Sequence, residues 1–197
     1  MIDLSNIGEN KPNLKFKQYY LKALDADQKV IQGMAISTFN KDISEVDCRY
    51  VNLKYVIDDE WIFFTNYKSQ KAKAIETHNQ IAAVFYWSEI NTQIRMKGTI
   101  KKASEEFSDY HFSKRSTEKN ALALSSDQSS KISSYEQVEK NFLTALSENS
   151  LDRPDFWGGY AFKPNYFEFW TGHNSRLNKR EVFELKDNDW DSFILQP

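Results

Sequence analysis

The sequence predicts an α+β fold built around a mostly antiparallel, barrel-like sheet. Short runs rich in β-branched and aromatic residues follow one another, separated by polar stretches, and helical segments are inserted between them. A hydrophobic fraction of 40%, with 14 Phe, 10 Tyr and 5 Trp, indicates a chain that buries a core of its own. No internal repeat and no shift in composition divides the chain, so residues 1–197 are predicted to form one domain.

The first 30 residues are predicted to be a polar segment that contains one short amphipathic helix. Its apolar positions recur at helical spacing and are Phe16, Tyr19, Tyr20, Leu21 and Leu24. Three strands are predicted next, over residues 33–39, 48–57 and 60–67.

A short helix is predicted to begin at Ser69 and to end near Asn79, because good helix formers lie between these two residues. Strands resume over 81–87 and 92–103. Polar and apolar residues alternate in the second of these strands, which gives its two faces different chemistry.

Residues 104 to about 146 have a helical composition, interrupted by a serine-rich junction over 122–134. The C-terminal part of the chain is again predicted to form strands, broken at Gly158–Gly159 and at a turn over 171–174. The last strand is expected to end at the C-terminal Leu-Gln-Pro.

The overall charge and the cysteine content exclude several classes of partner and location. The 26 Lys and Arg residues nearly balance the 28 Asp and Glu residues, so no net field attracts nucleic acid or an anionic membrane. The single cysteine, Cys48, cannot form an internal disulfide, and neither a signal peptide nor a long apolar run is present. These features predict a cytoplasmic protein without nucleic acid or membrane partners.

The common nucleotide, zinc and hydrolase motifs are absent. The sequence has no glycine-rich phosphate loop, its three histidines lie too far apart for a zinc protease motif, and no nucleophile elbow positions a catalytic serine. No metal site is predicted.

Basic and amide side chains instead gather near the ends of the predicted strands. Such groups bind phosphate through charge-assisted hydrogen bonds, which hydroxyl groups and backbone amides complete. Any one of them taken alone is more often a solvated surface charge. The set comprises Arg49, Lys54, Lys71, Gln93, Arg95, Arg115, Arg176 and Arg180.

Seven sequence blocks resemble, in order and in spacing, the pattern of the pyridoxamine 5'-phosphate oxidase family. The resemblance runs from about Gly33 to Pro197, and its most specific part is the EFW…RLNxR run near the C-terminus. The blocks are RYVNLK (49–54), FFTNYKSQKAKAI (63–75), FYW (85–87), TQIRMKG (92–98), SSDQSSKIS (125–133), RPDFWGGY (153–160) and FEFWTGHNSRLNKR (167–180).

The resemblance implies a split β-barrel and a homodimer that holds two FMN molecules at the subunit interface. In the family, the flavin passes electrons from a C–N or C–O bond of the substrate to oxygen. The residues implied to bind FMN are Arg49, Tyr50, Val51, Asn52, Leu53, Lys54, Phe64, Thr65, Ser69, Gln70, Lys71, Gln93, Gln128, Ser129, Trp170 and Arg180. Their chemistry agrees with that role, since FMN needs cations for its phosphate, polar donors for its ring edge and apolar walls. One position departs from the family, which commonly has an arginine where this chain has Gln70; Lys71 remains.

The resemblance also implies a pocket for a small phosphorylated substrate, formed by Lys54, His111, Arg115 and Lys119. The family has tyrosine and serine at the second and fourth of these positions, although histidine and lysine still donate to phosphate. The implied catalytic residues are Arg176 and Asn178; the family normally has histidine at the second of these positions. Asparagine can bind a substrate but cannot change charge near neutral pH.

Three functions therefore stay open. The first is an oxidase of pyridoxamine or pyridoxine 5'-phosphate that produces pyridoxal 5'-phosphate. The second is an FMN-dependent oxidoreductase of the same fold that acts on another substrate, such as a phenazine-type aromatic compound. The third is a non-catalytic binder of FMN or pyridoxal phosphate. Fold alone does not separate them, because function resides in the site.

Overall fold

A computed structural model describes residues 1–148 and 152–197, and this part of the chain forms nine β-strands and five α-helices. The strands are β1 (Asp3–Ile7), β2 (Gly33–Asn40), β3 (Glu45–Asp58), β4 (Glu60–Asn66), β5 (Gln80–Trp87), β6 (Thr92–Lys102), β7 (Trp157–Thr171), β8 (Lys179–Lys186) and β9 (Asp189–Leu195). The helices are α1 (Lys11–Asp25), α2 (Gln70–Thr77), α3 (Glu105–Ser113), α4 (Thr117–Ser125) and α5 (Tyr135–Leu146).

Six of the strands close into a barrel. Strands β3, β2, β5, β6 and β7 are neighbours in that order, and β4 pairs with both β3 and β7 and so completes the ring. Strands β8 and β9 extend the sheet beyond β7, and β1 adds the one parallel pairing of the described sheet, along β3. The predicted α+β fold with a mostly antiparallel barrel is confirmed.

Aromatic side chains fill the barrel, and helix α1 covers it. Trp61, Phe63, Phe85 and Phe162 are fully buried, because alternate residues of each strand point inward. Helix α1 adds Phe16, whose ring centroid lies 4.5 Å from that of Trp61. No helix in the described part of the chain has the length and apolar character needed to cross a bilayer.

The predicted break at Gly158–Gly159 is wrong, because both glycines lie inside β7, opposite Thr65 and Phe64 of β4. A methyl group on Gly158 would lie 2.2 Å from the hydroxyl oxygen of Tyr67, and one on Gly159 would lie 2.9 Å from the Cβ of Ala103. These glycines therefore permit close packing within a strand and do not end it.

The N-terminal segment is also more structured than predicted. Strand β1 precedes the helix, in a stretch whose polar residues carry no strand signal. Helix α1 begins after Asn10, whose side chain accepts a hydrogen bond of 2.9 Å from the backbone N–H of Asn13. The helical composition of residues 104–146 corresponds to α3, α4 and α5, and the end of the serine-rich junction, 126–134, forms the connection from α4 to α5.

Candidate active site

A cleft of about 800 Å³ opens beside the barrel, between β3, the beginning of α2 and the α3–α4 region. Six of the side chains that line it are basic, and one is a carboxylate, that of Asp47. This excess of positive charge is local, since the whole chain carries a formal charge of −2. The cleft is therefore suited to anionic ligands. The basic residues are Arg49, Lys54, Lys71, Lys114, Arg115 and Lys119.

Lys71 forms the first cationic centre. Its side chain is buried, and its Nζ atom donates hydrogen bonds of 3.1 Å to the Thr65 hydroxyl and 3.1 Å to the Ser69 hydroxyl. Within the described residues, Lys71 forms no ion pair with a carboxylate. Burial, together with the nearby charge of Arg49, lowers the pKa of Lys71 to about 8. A buried ammonium group that has only neutral partners is a site at which an anion gains stabilisation.

The beginning of helix α2 adds to this centre. Ser69 is the N-cap residue, but its hydroxyl makes no capping hydrogen bond to the helix and instead accepts one from Lys71. The first backbone N–H groups of a helix lack intrahelical partners and carry partial positive charge. Gln70, the first residue of α2, lines the cleft beside them.

Arg49 of β3 lies on the same side of the cleft. Its Nη1 group donates a hydrogen bond of 2.7 Å to the hydroxyl of Thr38, and its Nη2 group forms an ion pair with Asp47. Arg49 is thus held by two partners, whereas Lys71 has no charged partner within residues 1–148 and 152–197. Lys71 is therefore the cation of this pair that is more available to an anionic ligand.

A second cationic centre contains Lys54, Arg115 and Lys119. Arg115 donates a hydrogen bond of 2.7 Å from Nη2 to the backbone oxygen of Lys119, and its buried Nη1 group has no hydrogen-bond partner among the described residues. Burial lowers the pKa of Arg115 to about 10, so it remains a cation at neutral pH. Burial and the charges of Lys119 and Arg115 also lower the pKa of Lys54. A buried donor without a partner is costly, which marks Nη1 as a group that a ligand can satisfy.

Aromatic rings form the wall beside this second centre. The imidazole of His111 stacks on Phe64 with centroids 3.7 Å apart, and Phe64 stacks on Trp157 at 5.4 Å. The guanidinium carbon of Arg115 lies 4.3 Å from the centre of the Trp157 ring, a cation–π geometry. A planar aromatic ligand would find a matching surface here.

His111 is neutral at pH 7. Burial and the charges of Arg115, Lys54 and Lys119 lower its pKa to about 4. Its Nδ1 atom lies 2.9 Å from the hydroxyl of Tyr55, so the two groups share a hydrogen bond. This leaves Nε2 as the ring nitrogen through which His111 can bind a ligand.

The serine-rich junction reaches the first centre through Gln128. The side-chain oxygen of Gln128 accepts hydrogen bonds from the Thr65 hydroxyl at 3.1 Å and from the backbone N–H of Asn66 at 3.4 Å. Ser129 follows with a left-handed φ of 76° and also lines the cleft.

A separate row of predicted residues crosses three strands of the sheet. Gln93 of β6 lies opposite Trp170 of β7, and Trp170 lies opposite Arg180 of β8. Directly opposed residues share one face of a sheet, so the three side chains are neighbours. We call this set the cross-strand row; it does not line the cleft.

Arg176 and Asn178 lie in the loop between β7 and β8. The side-chain oxygen of Asn178 accepts a hydrogen bond of 3.0 Å from the backbone N–H of His173. Arg176 has a left-handed φ of 60°, and its backbone N–H donates to the carbonyl oxygen of His173 at 2.9 Å. Both residues lie between Trp170 and Arg180 in the sequence, and neither lines the cleft of its own chain.

The structure divides the sequence-predicted site residues into two sets. Two predicted residues line neither set with their side chains. Leu53 is fully buried, so only its backbone can reach a ligand. Ser69 is also buried, and its hydroxyl accepts a hydrogen bond from Lys71. The set in the cleft comprises Arg49, Tyr50, Val51, Asn52, Lys54, Phe64, Thr65, Gln70, Lys71, His111, Arg115, Lys119, Gln128 and Ser129. The set outside it comprises Gln93, Trp170, Arg176, Asn178 and Arg180.

Sequence reasoning missed two basic or aromatic residues of the cleft and one residue beside the cross-strand row. Trp157 lies within the RPDFWGGY block, so the motif marked its neighbourhood without assigning it a role. Lys114 adjoins Arg115 on the chain, and no feature of the sequence separates it from ordinary surface lysines. Glu168 lies in the EFW run and proves to be a buried carboxylate behind the cross-strand row.

Two family models match the chain. The model described as "Pyridoxamine 5'-phosphate oxidase" matches residues 26–146, and the one described as "Pyridoxine 5'-phosphate oxidase C-terminal dimerisation region" matches residues 157–197. The first match covers the whole cleft apart from Trp157, and the second covers the cross-strand row apart from Gln93.

Individual proteins extend this similarity over nearly the whole chain. The chain is 38% identical to the pyridoxine/pyridoxamine 5'-phosphate oxidase of Leptospira biflexa over 189 residues, which cover 94% of this chain and 89% of the relative. It is also 38% identical to the enzyme of that name from Cytophaga hutchinsonii over 192 residues, with 94% and 88% covered.

Solved structures share the fold. The structure of PhzG from Burkholderia lata 383 in complex with tetrahydrophenazine-1-carboxylic acid is similar with a TM-score of 0.91 and 26% identity, covering 95% of this chain and 93% of that one. A pyridoxamine 5'-phosphate oxidase-related, FMN binding protein from Nostoc punctiforme has a TM-score of 0.78, with 96% and 99% covered. At 14% identity, this second likeness concerns the fold alone.

Proposed function

Because this chain belongs to the pyridoxamine 5'-phosphate oxidase family, we propose that it is an FMN-dependent oxidase of pyridoxamine 5'-phosphate and pyridoxine 5'-phosphate. The observation that carries the proposal is the presence of two separate cationic centres in one cleft. FMN and the substrate each carry a phosphate group, so a site for both needs two anion-binding centres. The product would be pyridoxal 5'-phosphate.

The residues of the first centre fit the phosphate of FMN. Lys71 supplies a charge that lacks a charged partner, while Thr65, Ser69 and the first amides of α2 supply neutral donors. Gln70 provides no second cation at this position, so Lys71 carries a larger share of the electrostatic attraction. When bound, FMN accepts two electrons from the substrate C–N or C–O bond and passes them to oxygen.

The residues of the second centre fit the phosphate of the substrate. In the described part of the chain, the buried Nη1 group of Arg115 has no hydrogen-bond partner, and Lys54 and Lys119 add charge beside it. The stacked rings of Phe64 and His111 form a flat wall next to these cations. A phosphorylated pyridine compound combines the two features, an anionic group and a flat aromatic ring.

The cross-strand row supports a homodimer in which each FMN contacts both subunits. Trp157 lines the cleft at one end of β7, whereas Trp170 lies at the other end, thirteen residues and roughly 40 Å of extended strand away. We propose that Gln93, Trp170 and Arg180 serve the FMN in the partner's cleft, and that Arg176 and Asn178 meet the substrate there. The match of residues 157–197 to a dimerisation region supports this arrangement.

Each subunit would then be a single FMN-binding domain over residues 1–197, working in the cytoplasm. Cys48 is free and exposed, as is common for proteins of a reducing compartment.

A second candidate is oxidation of a different aromatic substrate by the same flavin. The likeness to PhzG from Burkholderia lata 383, at 26% identity over 95% of this chain, favours it. The ligand in that structure, tetrahydrophenazine-1-carboxylic acid, carries a carboxylate and no phosphate. His111, Lys119 and Asn178 are the substrate-site positions at which this chain departs from the family pattern, and these departures also favour another substrate.

One experiment separates the candidates. The purified protein is titrated with FMN, and the bound flavin is mixed anaerobically with pyridoxamine 5'-phosphate, with pyridoxine 5'-phosphate or with a reduced phenazine carboxylic acid. Bleaching by the phosphorylated pyridines, followed by recovery of the flavin colour in air, supports the first function. Bleaching by the phenazine compound alone supports the second, and a protein that binds no FMN contradicts both.

A further inference from the structure

Glu168 of β7 is a buried carboxylate with donors on three sides. It is 1% exposed. One carboxylate oxygen accepts from the Nη1 group of Arg95 at 2.9 Å and from the Tyr166 hydroxyl at 3.0 Å, while the other accepts from the Nε group of Arg180 at 2.9 Å. Strands β6, β7 and β8 thus meet at one side chain.

Burying this carboxylate without partners would be strongly unfavourable, because an ionised group loses its hydration. Burial alone raises the pKa of Glu168, but hydrogen bonds from Arg180 and Tyr166 and the charges of Arg95 and Arg180 outweigh that effect and lower the pKa below its usual value. Glu168 is therefore ionised at neutral pH and binds Arg180 as a full negative charge.

Arg180 is fixed at two of the three nitrogens of its guanidinium group. Glu168 holds Nε, and the backbone oxygen of Gln196 accepts from Nη1 at 3.1 Å. Among the described residues, Nη2 has no hydrogen-bond partner, so this is the group that remains for a ligand. Because the guanidinium is planar, fixing Nε and Nη1 also fixes the direction in which Nη2 points.

We propose that Glu168 is a positioning residue, which orients the guanidinium of Arg180 toward the FMN bound in the partner's cleft. The inference rests on the proposed function, since it takes Arg180 to be an FMN contact. Glu168 itself has no route to the flavin, because its side chain is enclosed by Arg95, Tyr166 and Arg180. Its contribution to FMN binding passes entirely through Arg180.

A purely structural role for Glu168 makes a different prediction. An ion pair that only joins three strands would affect the stability of the sheet, and its loss would weaken FMN binding by the same factor whether or not Arg180 is present. A positioning role requires that the effect of Glu168 disappear once Arg180 is removed. A double-mutant cycle therefore distinguishes the two roles.

The experiment measures FMN affinity by quenching of flavin fluorescence in the wild-type protein, Glu168→Gln, Arg180→Ala and the double variant. We expect Glu168→Gln to weaken FMN binding about tenfold, the effect of losing one charged hydrogen bond. In the Arg180→Ala background, the same change should alter the affinity by less than about twofold. Glu181→Gln is the matched control, because Glu181 lies next to Arg180 on β8 but pairs with Lys15 and Lys179; its FMN affinity should equal that of the wild type.

Two further measurements keep the inference testable. If Glu168→Gln does not fold, Glu168→Asp keeps the charge but shortens the side chain, and its FMN affinity should again be weaker than that of the wild type. In the flavin-free protein, the NMR signal of the Arg180 Nε–H group should lose its dispersed position when Glu168 is changed.

The outcomes separate this inference from the proposed function. Equal effects of Glu168→Gln in the presence and absence of Arg180, or wild-type FMN affinity in Glu168→Gln, would overturn the positioning role while leaving the proposed function intact. A wild-type protein that binds no FMN would overturn both.

Discussion

The Nζ atom of Lys71 lies 3.1 Å from the hydroxyl oxygen of Thr65, inside a part of the cleft where its only hydrogen-bond partners among the described residues are the hydroxyls of Thr65 and Ser69. An ammonium group buried in this way costs free energy in the absence of ligand. That cost is recovered when an anion binds. The arrangement is typical of a site shaped for its ligand at some expense to the stability of the protein.

Replacing Lys71 by methionine should therefore have opposite effects on binding and on stability. We expect FMN binding to weaken by roughly tenfold to a hundredfold, because a charged hydrogen bond to phosphate is lost. The flavin-free variant should be as stable as the wild type or about 1 kcal/mol more stable. Fluorescence titration and urea unfolding measure the two quantities.

Lys73→Met is the control, since Lys73 is exposed on the same helix and its replacement should change neither quantity.

The pH dependence of stability gives a second check on Lys71. The pKa of Lys71 is about 8 in the folded protein and 10.5 ordinarily, so the unfolded chain binds more protons between these values. The wild type should thus gain stability relative to Lys71→Met as the pH rises from 8 to 10.5; a constant difference would contradict the burial of a charged Lys71.

His111 should make the flavin-free protein sensitive to acid. Its pKa is about 4 in the folded protein and 6.5 ordinarily, so the unfolded chain binds more protons between these values. The free energy of unfolding should therefore fall as the pH drops from 6.5 to 4, by about 1 to 3 kcal/mol from this residue. Urea unfolding at a series of pH values should show a shallower slope for His111→Phe than for the wild type.

Equal slopes for the wild type and His111→Phe would show that His111 is not a source of acid sensitivity.

Arg115→Met should impair the use of phosphorylated substrates selectively. Loss of the unpaired Nη1 donor and of its charge should raise the KM for pyridoxamine 5'-phosphate by roughly tenfold to a hundredfold, with a smaller change in kcat. The activity with unphosphorylated pyridoxamine, which has no anion for Arg115 to bind, should be unchanged. A loss of the same size with both substrates would point to damage of the cleft as a whole. Lys140→Met, on the exposed face of α5, is the matched charge-removal control.

Mixing two variants that each bind FMN weakly should restore tight FMN sites if each site spans two subunits. In a mixed dimer of Lys71→Met and Arg180→Ala chains, one site carries both substitutions and the other carries neither. About a quarter of all sites should then be intact after random exchange, since half of the dimers are mixed and each has one intact site. Tight FMN binding by the mixture, compared with each variant alone, measures this recovery. If both residues served the same chain's flavin, mixing would restore nothing.

Gly158→Ala should destabilise the protein by about 1 to 3 kcal/mol, because the added methyl group would lie 2.2 Å from the Tyr67 hydroxyl oxygen. Urea unfolding measures the loss. Combining the substitution with Tyr67→Phe removes that oxygen and should recover part of the stability, relative to Tyr67→Phe alone. Absence of any recovery would mean that the strain arises elsewhere in β7.

Much of this protein was determined by patterns that are local in sequence. The alternation along β6, the helix formers after Ser69 and the spacing of the seven family blocks predicted the order of the elements, the barrel and most of the cleft residues. The predictions of the elements and of the barrel are confirmed, because periodicity and capping depend on neighbouring residues. That the cleft residues bind FMN and substrate stays a prediction. The exceptions were Gly158 and Gly159, where a local turn signal competed with close packing against Tyr67 and Ala103, and the packing prevailed.

Other features were decided only by the tertiary structure, because they depend on residues far apart in the chain. Strand β1 forms only through its pairing with β3, some fifty positions later. The carboxylate of Glu168 gains its partners from three different strands. The separation of the site residues into a cleft and a distant row depends on the length of β7. The sequence alone therefore predicted the kinds of side chain that a flavin site needs, whereas the barrel determined which of these residues lie together, since side chains from distant segments become neighbours only when the sheet closes.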